Sequence, residues 1–125
     1  DSLRRQAETS GLLLTISNDT WFGGSIGPHQ HMQIAQMRAL ENGRWLLRAT
    51  NNGVTGIVNP RGEITAQLPQ FEASVLRGEF EVMKGRTPYS KLGDIPALFL
   101  LTVLLVVTAM RSRRTNFSIG RFCLI

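Results

Sequence analysis

"LLLTISNDTWFGGSIGPHQHMQIAQMRALENGRWLLRATNNG", residues 12–53, decides the fold class. Its first five residues are continuous and apolar, the pattern of a strand buried on both faces. Pro28 opens a helix at its first turn, where the missing N–H costs nothing. From there to Asn42 good helix formers dominate, and Ile34 is the only β-branched residue. Gly43 follows as the C-cap. Met32, Ile34, Ala35, Met37, Ala39 and Leu40 spread around the helix, which predicts cover on more than one side. "RWLLRAT", residues 44–50, is a second apolar strand, and "NNG" is its turn. Strand, helix and strand in this order indicate an α/β layered domain.

Downstream the pattern changes from buried runs to hairpins. "VTGIV", residues 54–58, predicts a third strand. "NPRG" fits a tight turn, with Pro second and Gly fourth. "EITAQL" alternates, with Ile64, Ala66 and Leu68 on one face. Residues 75–82 alternate again and predict a further strand, with Leu76, Phe80 and Val82 facing Arg77, Glu79 and Glu81 across it. "KGRTPYSKLGD", residues 84–94, is rich in turn formers and reads as a linker. The opening "DSLRRQAETSG" reads as the later part of a helix, from which the chain is expected to be a piece of something longer.

The 125 residues suffice for one small domain. A net charge of +5 invites a nucleic-acid reading. Its distribution excludes one: Arg111, Arg113, Arg114 and Arg121 supply most of the excess, and the chain before them is near neutral. These arginines follow "IPALFLLTVLLVVTAM", residues 95–110, which has no charge and only Thr102 and Thr108 as polar side chains. A spanning helix needs about 17–25 residues, and flanking arginines extend a short one by snorkelling. The run therefore predicts a transmembrane helix. The positive-inside rule puts residues 111–125 in the cytoplasm as a basic tail and the preceding domain on the other side, which in a Gram-negative bacterium would be the periplasm. The single cysteine, Cys123, falls in that tail and has no partner for an intramolecular disulfide.

Two constellations carry the functional reading. Asn18 and Asp19 lie where the first strand emerges, the place where ligands gather in open α/β sheets. Trp21 and Phe22 follow them at once, either packing back under the loop or walling the mouth of a site. Gly23 continues the turn. Asn51, Asn52 and Gly53 follow the second strand in the same way. On the helix Arg38 and Glu41 are three apart and form a structural pair. His29 and His31 are two apart, the wrong spacing to share a helix face, so they read as polar residues of the helix start. No zinc spacing and no Gly-rich phosphate loop is present; no metal and no cofactor is implied.

"SNDTWFGG", "GPHQH", "RALENGRWLLRATNNG" and "TPYSKLGD" together resemble the C-terminal part of the bacterial apolipoprotein N-acyltransferase family. That family belongs to the nitrilase (carbon-nitrogen hydrolase) superfamily. The resemblance runs over residues 12–114 and implies part of an α-β-β-α sandwich followed by one transmembrane helix in the bacterial inner membrane. It divides the chain into the C-terminal part of a nitrilase-like domain (1–83), a linker (84–94), a transmembrane helix (95–110) and a basic cytoplasmic tail (111–125). It implies transfer of an acyl chain from phospholipid to the N-terminal amine of a diacylglyceryl-cysteine lipoprotein, through a thioester on the Cys of a Glu–Lys–Cys triad. The implied partners are a phospholipid acyl donor, a diacylglyceryl-lipoprotein acceptor and the membrane, with no nucleic acid.

The family's triad precedes the "SNDTWFGG" stretch. Glu41, Lys84, Lys91 and Cys123 do not match it, so the fragment alone is expected to be inactive. Asn18, Asp19, Trp21, Phe22, Gly23, Asn51, Asn52 and Gly53 match the family's loops near the site mouth. The alternatives are a fragment of a membrane-anchored amidase of the same superfamily and a non-enzymatic membrane fragment.

Overall fold

Residues 12–18 form the first strand because an apolar run free of glycine and proline has no reason to turn before Asp19. In the computed structural model, which describes residues 2–116, this strand is β1 (Leu12–Asn18). It follows helix α1 (Ser2–Thr9) and precedes a 3-10 turn (Thr20–Phe22) and helix α2 (Gly27–Asn42). Proline stands in the first turn of α2, and Gly43 ends it in the left-handed conformation at φ 60°. Strands β2 (Trp45–Asn51), β3 (Gly56–Val58) and β4 (Ile64–Gln67) complete one sheet in the order β1-β2-β3-β4. β1 and β2 run parallel, joined through α2, and the other pairs are antiparallel. Cys123 and the last part of the tail lie outside the described residues.

The "NPRG" turn closes the β3–β4 hairpin. Asn59 Oδ1 accepts from the N–H of Arg61 and of Glu63, and Gly62 takes φ 80°, which a side chain would disfavour. Gln36 Nε2 donates to Gly62 O at 2.8 Å, so α2 holds the hairpin against the sheet.

The core lies on one face of the sheet. Met32, Ala35 and Ala39 of α2 meet Leu13, Leu46 and Val58, joined by Ala7 of α1 and by Val54. The expected cover on further sides of α2 is absent among the described residues: Ile34, Met37 and Leu40 are more than half exposed. The two-sided burial read from residues 12–16 is also half met. Leu13 is buried, whereas Leu14 and Ile16 are 66% and 77% exposed on the opposite face. Only one helical layer covers the sheet among the described residues, and alternate strand positions point away from it.

Residues 75–82 do not form the predicted strand. They cross the open face instead. An ideal Cβ on Gly78 would stand 2.4 Å from Ile57, and Val75 and Phe80 border a cavity with Leu14, Leu47 and Ala49. Met83 N donates to Gly11 O at 3.1 Å where the segment leaves. Alternating polarity records a segment with one side toward apolar surface and one toward water. It does not require pairing in the ladder.

The chain forms two compact units, Asp1–Lys91 and Leu92–Ile125. The first holds the sheet and its helices. The second holds α4 (Ile95–Asn116), after the short helix α3 (Pro88–Leu92). Within α4, Ile95–Ser112 has a mean hydropathy of 2.0 and none of it is buried in the structure. It is long and apolar enough to cross a membrane. The hydroxyls of Thr102 and Thr108 donate back to the carbonyls of Leu98 and Leu104, so its two threonines present no unsatisfied donor.

Candidate functional site

The parallel register of β1 and β2 sets Asn18 opposite Asn51. Two loops that are distant in sequence therefore leave the sheet side by side. Asp19 N donates to Asn51 O at 3.3 Å. Gly53 closes the contact, because a Cβ there would meet Asp19 Oδ2 at 2.3 Å. The close approach of the two loops requires glycine at this point.

Asp19 is 1% exposed. Its carboxylate takes hydrogen bonds from three elements. Ser17 Oγ of β1 donates to Oδ1 at 3.1 Å, and His31 Nδ1 of α2 lies 3.1 Å from the same oxygen. Arg48 Nη2 of β2 donates to Oδ2 at 3.0 Å and to Ser17 Oγ at 3.0 Å. Burial pushes the Asp19 pKa up, but the bonds from His31 and Ser17 and the charge of Arg48 outweigh it, leaving the carboxyl below its ordinary value. Arg48 is itself buried, and its Nε has no acceptor among the described residues.

The aromatic pair divides. Phe22 folds back: its ring meets the His31 ring edge-on, with centroids 4.9 Å apart, and lies where a Cβ on Gly27 would stand 2.5 Å away. Trp21 points outward and is 80% exposed. Asn18 Oδ1 accepts from Thr20 N at 3.1 Å and fixes the start of the turn. Gly23 takes φ 50° in open space.

Asn51 and Asn52 are exposed on the second loop, Asn52 at φ 60°, a conformation asparagine tolerates. With Gly53 they border a cavity of about 290 Å³ closed by residues 68–74. Arg38 and Glu41 stay apart from these loops. They pair with each other on α2 at 2.7 Å, and the Glu41 carbonyl accepts from the Thr87 hydroxyl.

The structure thus brings seven of the eight loop candidates to one end of the sheet around Asp19, with Gly23 beyond them on the turn. Sequence reasoning missed His31 and Arg48, two of the three side chains that hold Asp19. Arg48 carried a readable signal: an arginine inside an apolar strand flanking a helix must be buried, and a buried arginine is paired. His31 carried none, because its partner is twelve residues away across a turn.

The carbon-nitrogen hydrolase family profile matches residues 3–86 of the chain. A Pseudomonas aeruginosa (strain LESB58) protein named apolipoprotein N-acyltransferase is 59% identical over 100 residues, which are 80% of this chain and 20% of that protein. A protein of the same name from Azotobacter vinelandii is 58% identical over 110 residues, 88% of this chain and 21% of its own. One from Vibrio vulnificus is 51% identical over 109 residues, 87% and 22%. The chain spans about a fifth of the length of these relatives.

Proposed function

Because the chain belongs to the carbon-nitrogen hydrolase family, we propose that it is the C-terminal part of an apolipoprotein N-acyltransferase and forms one wall of that enzyme's acyl site. The single observation that carries this reading is that the "SND" and "NNG" loops, separate in sequence, meet at one sheet end around a buried Asp19. The identity to proteins of that name supports it.

In the proposed reaction a Cys thiolate attacks the ester carbonyl of a phospholipid. The acyl group passes to sulfur and the lysophospholipid oxygen leaves with a proton. The N-terminal amine of a diacylglyceryl-cysteine lipoprotein then attacks the thioester, loses a proton and releases the thiol. The Glu–Lys–Cys triad belongs to the portion of the enzyme upstream of this chain. The contribution of this chain is to shape the pocket and exclude water from the thioester, with Trp21 as the apolar surface and Asn51 and Asn52 at the rim. The open sheet face at Leu14 and Ile16 packs in the complete enzyme against the second sheet of the sandwich. Residues 95–110 cross the inner membrane, with the sheet unit in the periplasm and the arginines after Met110 in the cytoplasm.

The test is a full-length chimera in which this chain replaces the matching C-terminal fifth of the Pseudomonas aeruginosa relative. We expect it to add one acyl chain to a diacylglyceryl-cysteine peptide, read as a mass increase, in the presence of phospholipid vesicles. Trp21→Ala should slow that transfer about tenfold or more. Unchanged transfer by a normally accumulated Trp21→Ala chimera rejects the site role of Trp21. Hydrolysis of small amides without lipid would instead point to an amidase.

A further inference from the structure

We infer that His31 is a positioning residue that fixes Trp21 in its outward pose, without itself touching substrate. The inference rests on the acyltransferase reading only for the consequence of that pose, and the pose itself is a property of the chain.

Trp21 is held by its neighbours. It is 80% exposed, and no hydrogen bond or ring contact to its own side chain fixes it among the described residues. Its two flanks are anchored to the same imidazole. On the N-terminal side, Asp19 lies 3.1 Å from His31 Nδ1. On the C-terminal side, the Phe22 ring packs edge-on against the same His31 ring at 83°. One side chain from the first turns of α2 therefore clamps the loop on both sides of the tryptophan.

The remaining contacts make the clamp rigid. Asp19 cannot retreat, because Arg48 and Ser17 hold its carboxylate from the sheet and Gly53 backs it from the second loop. Phe22 cannot swing toward α2, because its ring already fills the space above Gly27. The backbone between them is a 3-10 turn, with Phe22 N donating to Asp19 O at 3.1 Å. A turn pinned at both ends leaves the intervening side chain little choice of direction, although the side chain itself is in water. Presenting a large apolar ring to solvent costs free energy, which a hydrophobic loop would avoid by folding inward. The clamp prevents that collapse. Its chemical use is to offer a preorganised apolar surface to an acyl chain.

The experiment uses the full-length chimera labelled with 5-fluorotryptophan, the Trp21 resonance being identified by its loss in Trp21→Phe. Two variants release the clamp by different routes. His31→Ala removes both contacts, and Gly27→Ala pushes the Phe22 ring away without changing any titratable group. We expect both to move and narrow the Trp21 fluorine resonance. We expect both to lower kcat/KM for acyl transfer by no more than Trp21→Ala does, about tenfold, because both act through that ring. In a Trp21→Ala background neither variant should lower kcat/KM further, since both act through Trp21. His31→Gln, which keeps a donor toward Asp19 but lacks the ring, should give an intermediate shift.

A Trp21 resonance unmoved in both variants overturns the inference. So do losses that multiply with that of Trp21→Ala, because His31 would then act by another route. A resonance that moves in a chimera whose parent form transfers no acyl group upholds the positioning by His31 and rejects the acyltransferase reading.

Discussion

Arg44 and Arg48 stand at opposite ends of the same stretch, and both are buried, yet they build different things. Arg44 precedes β2 and donates only to main-chain carbonyls. Its Nε reaches Ser10 O at 2.8 Å, and its Nη2 reaches Ala7 O at 3.2 Å and Gly85 O at 2.6 Å. Two of these acceptors lie at the C-terminal end of α1, where orphan carbonyls and the helix dipole favour a cation. Arg44 is thus a fastener that joins α1 and the segment after residue 83 to the start of β2. Arg48, on β2, donates to side chains, and those side chains hold a loop. A guanidinium among carbonyls fixes the position of the backbone. A guanidinium on a carboxylate fixes a charge, and with it the groups that share that charge.

The largest expected effect follows from this difference. Arg48→Met leaves Asp19 in place at 1% exposure without the arginine that pairs with it. Removing one partner of a buried ion pair costs about 3–5 kcal/mol. The loss should appear in pulse proteolysis of the chimera, and restored stability in Asp19→Asn/Arg48→Met would attribute it to the stranded charge. Arg44→Met should cost less, about 1.5–3 kcal/mol, the range for hydrogen bonds made by a charged group. No charge is left unpaired, and acyl transfer per folded molecule should be unchanged. Equal losses for the two arginines, or a second-site rescue at Asp19 for Arg44→Met, would break the comparison.

Acid separates the two ends in another way. The folded pKa of Asp19 lies below its ordinary value of 3.8, so the carboxylate form is the one the fold favours. Its stabilisation is fully present above pH 3.8 and is lost as pH falls through the lowered value. Asp19→Asn should remove this part of the acid sensitivity, read as a flatter dependence of the urea midpoint on pH below 3.8. Main-chain carbonyls do not titrate there, so Arg44→Met should shift the curve without changing its slope. A slope unchanged in Asp19→Asn would place the acid sensitivity elsewhere.

Much of this architecture is legible in residues 12–53, because helix formers between apolar runs and a glycine past the last turn leave few alternatives. The parallel register is less so, yet it decides the site, since it is what sets Asn18 beside Asn51. In the sequence the two loops stand as separate constellations, because no local pattern records which strands are neighbours. The strand expected at residues 75–82 failed for a related reason: alternation reports sidedness, and a segment crossing an apolar face has it too. Trp21 and Phe22 were adjacent aromatics with two open readings. The structure assigns one reading to each, and the deciding residues are Gly27 and His31, neither of which is apolar enough to draw notice.

Arg38 supplies the reference against which both buried arginines are measured. It lies on α2 near them in sequence, and its guanidinium meets Glu41 at 2.7 Å, as short as any contact of Arg44 or Arg48 except Arg44's to Gly85. Its side chain is 47% exposed, however, against 18% for that of Glu41, so the guanidinium keeps much of its hydration when the bond opens. Exposed pairs one turn apart on a helix contribute about 0.3–0.5 kcal/mol and weaken with salt. Arg38→Ala should therefore fall in that range, shrink further in 0.5 M salt (a Debye length of about 4–5 Å), and leave the Trp21 fluorine resonance where it is. A cost near that of Arg44→Met would mean that Glu41, whose carbonyl accepts the Thr87 hydroxyl, joins the same fastening as Arg44 through the turn that follows α2. A cost in the small range confines the strong arginine interactions to Arg44, just before β2, and Arg48, within it. Burial and the nature of the acceptor, and not the distance between the charges, then set what each arginine does.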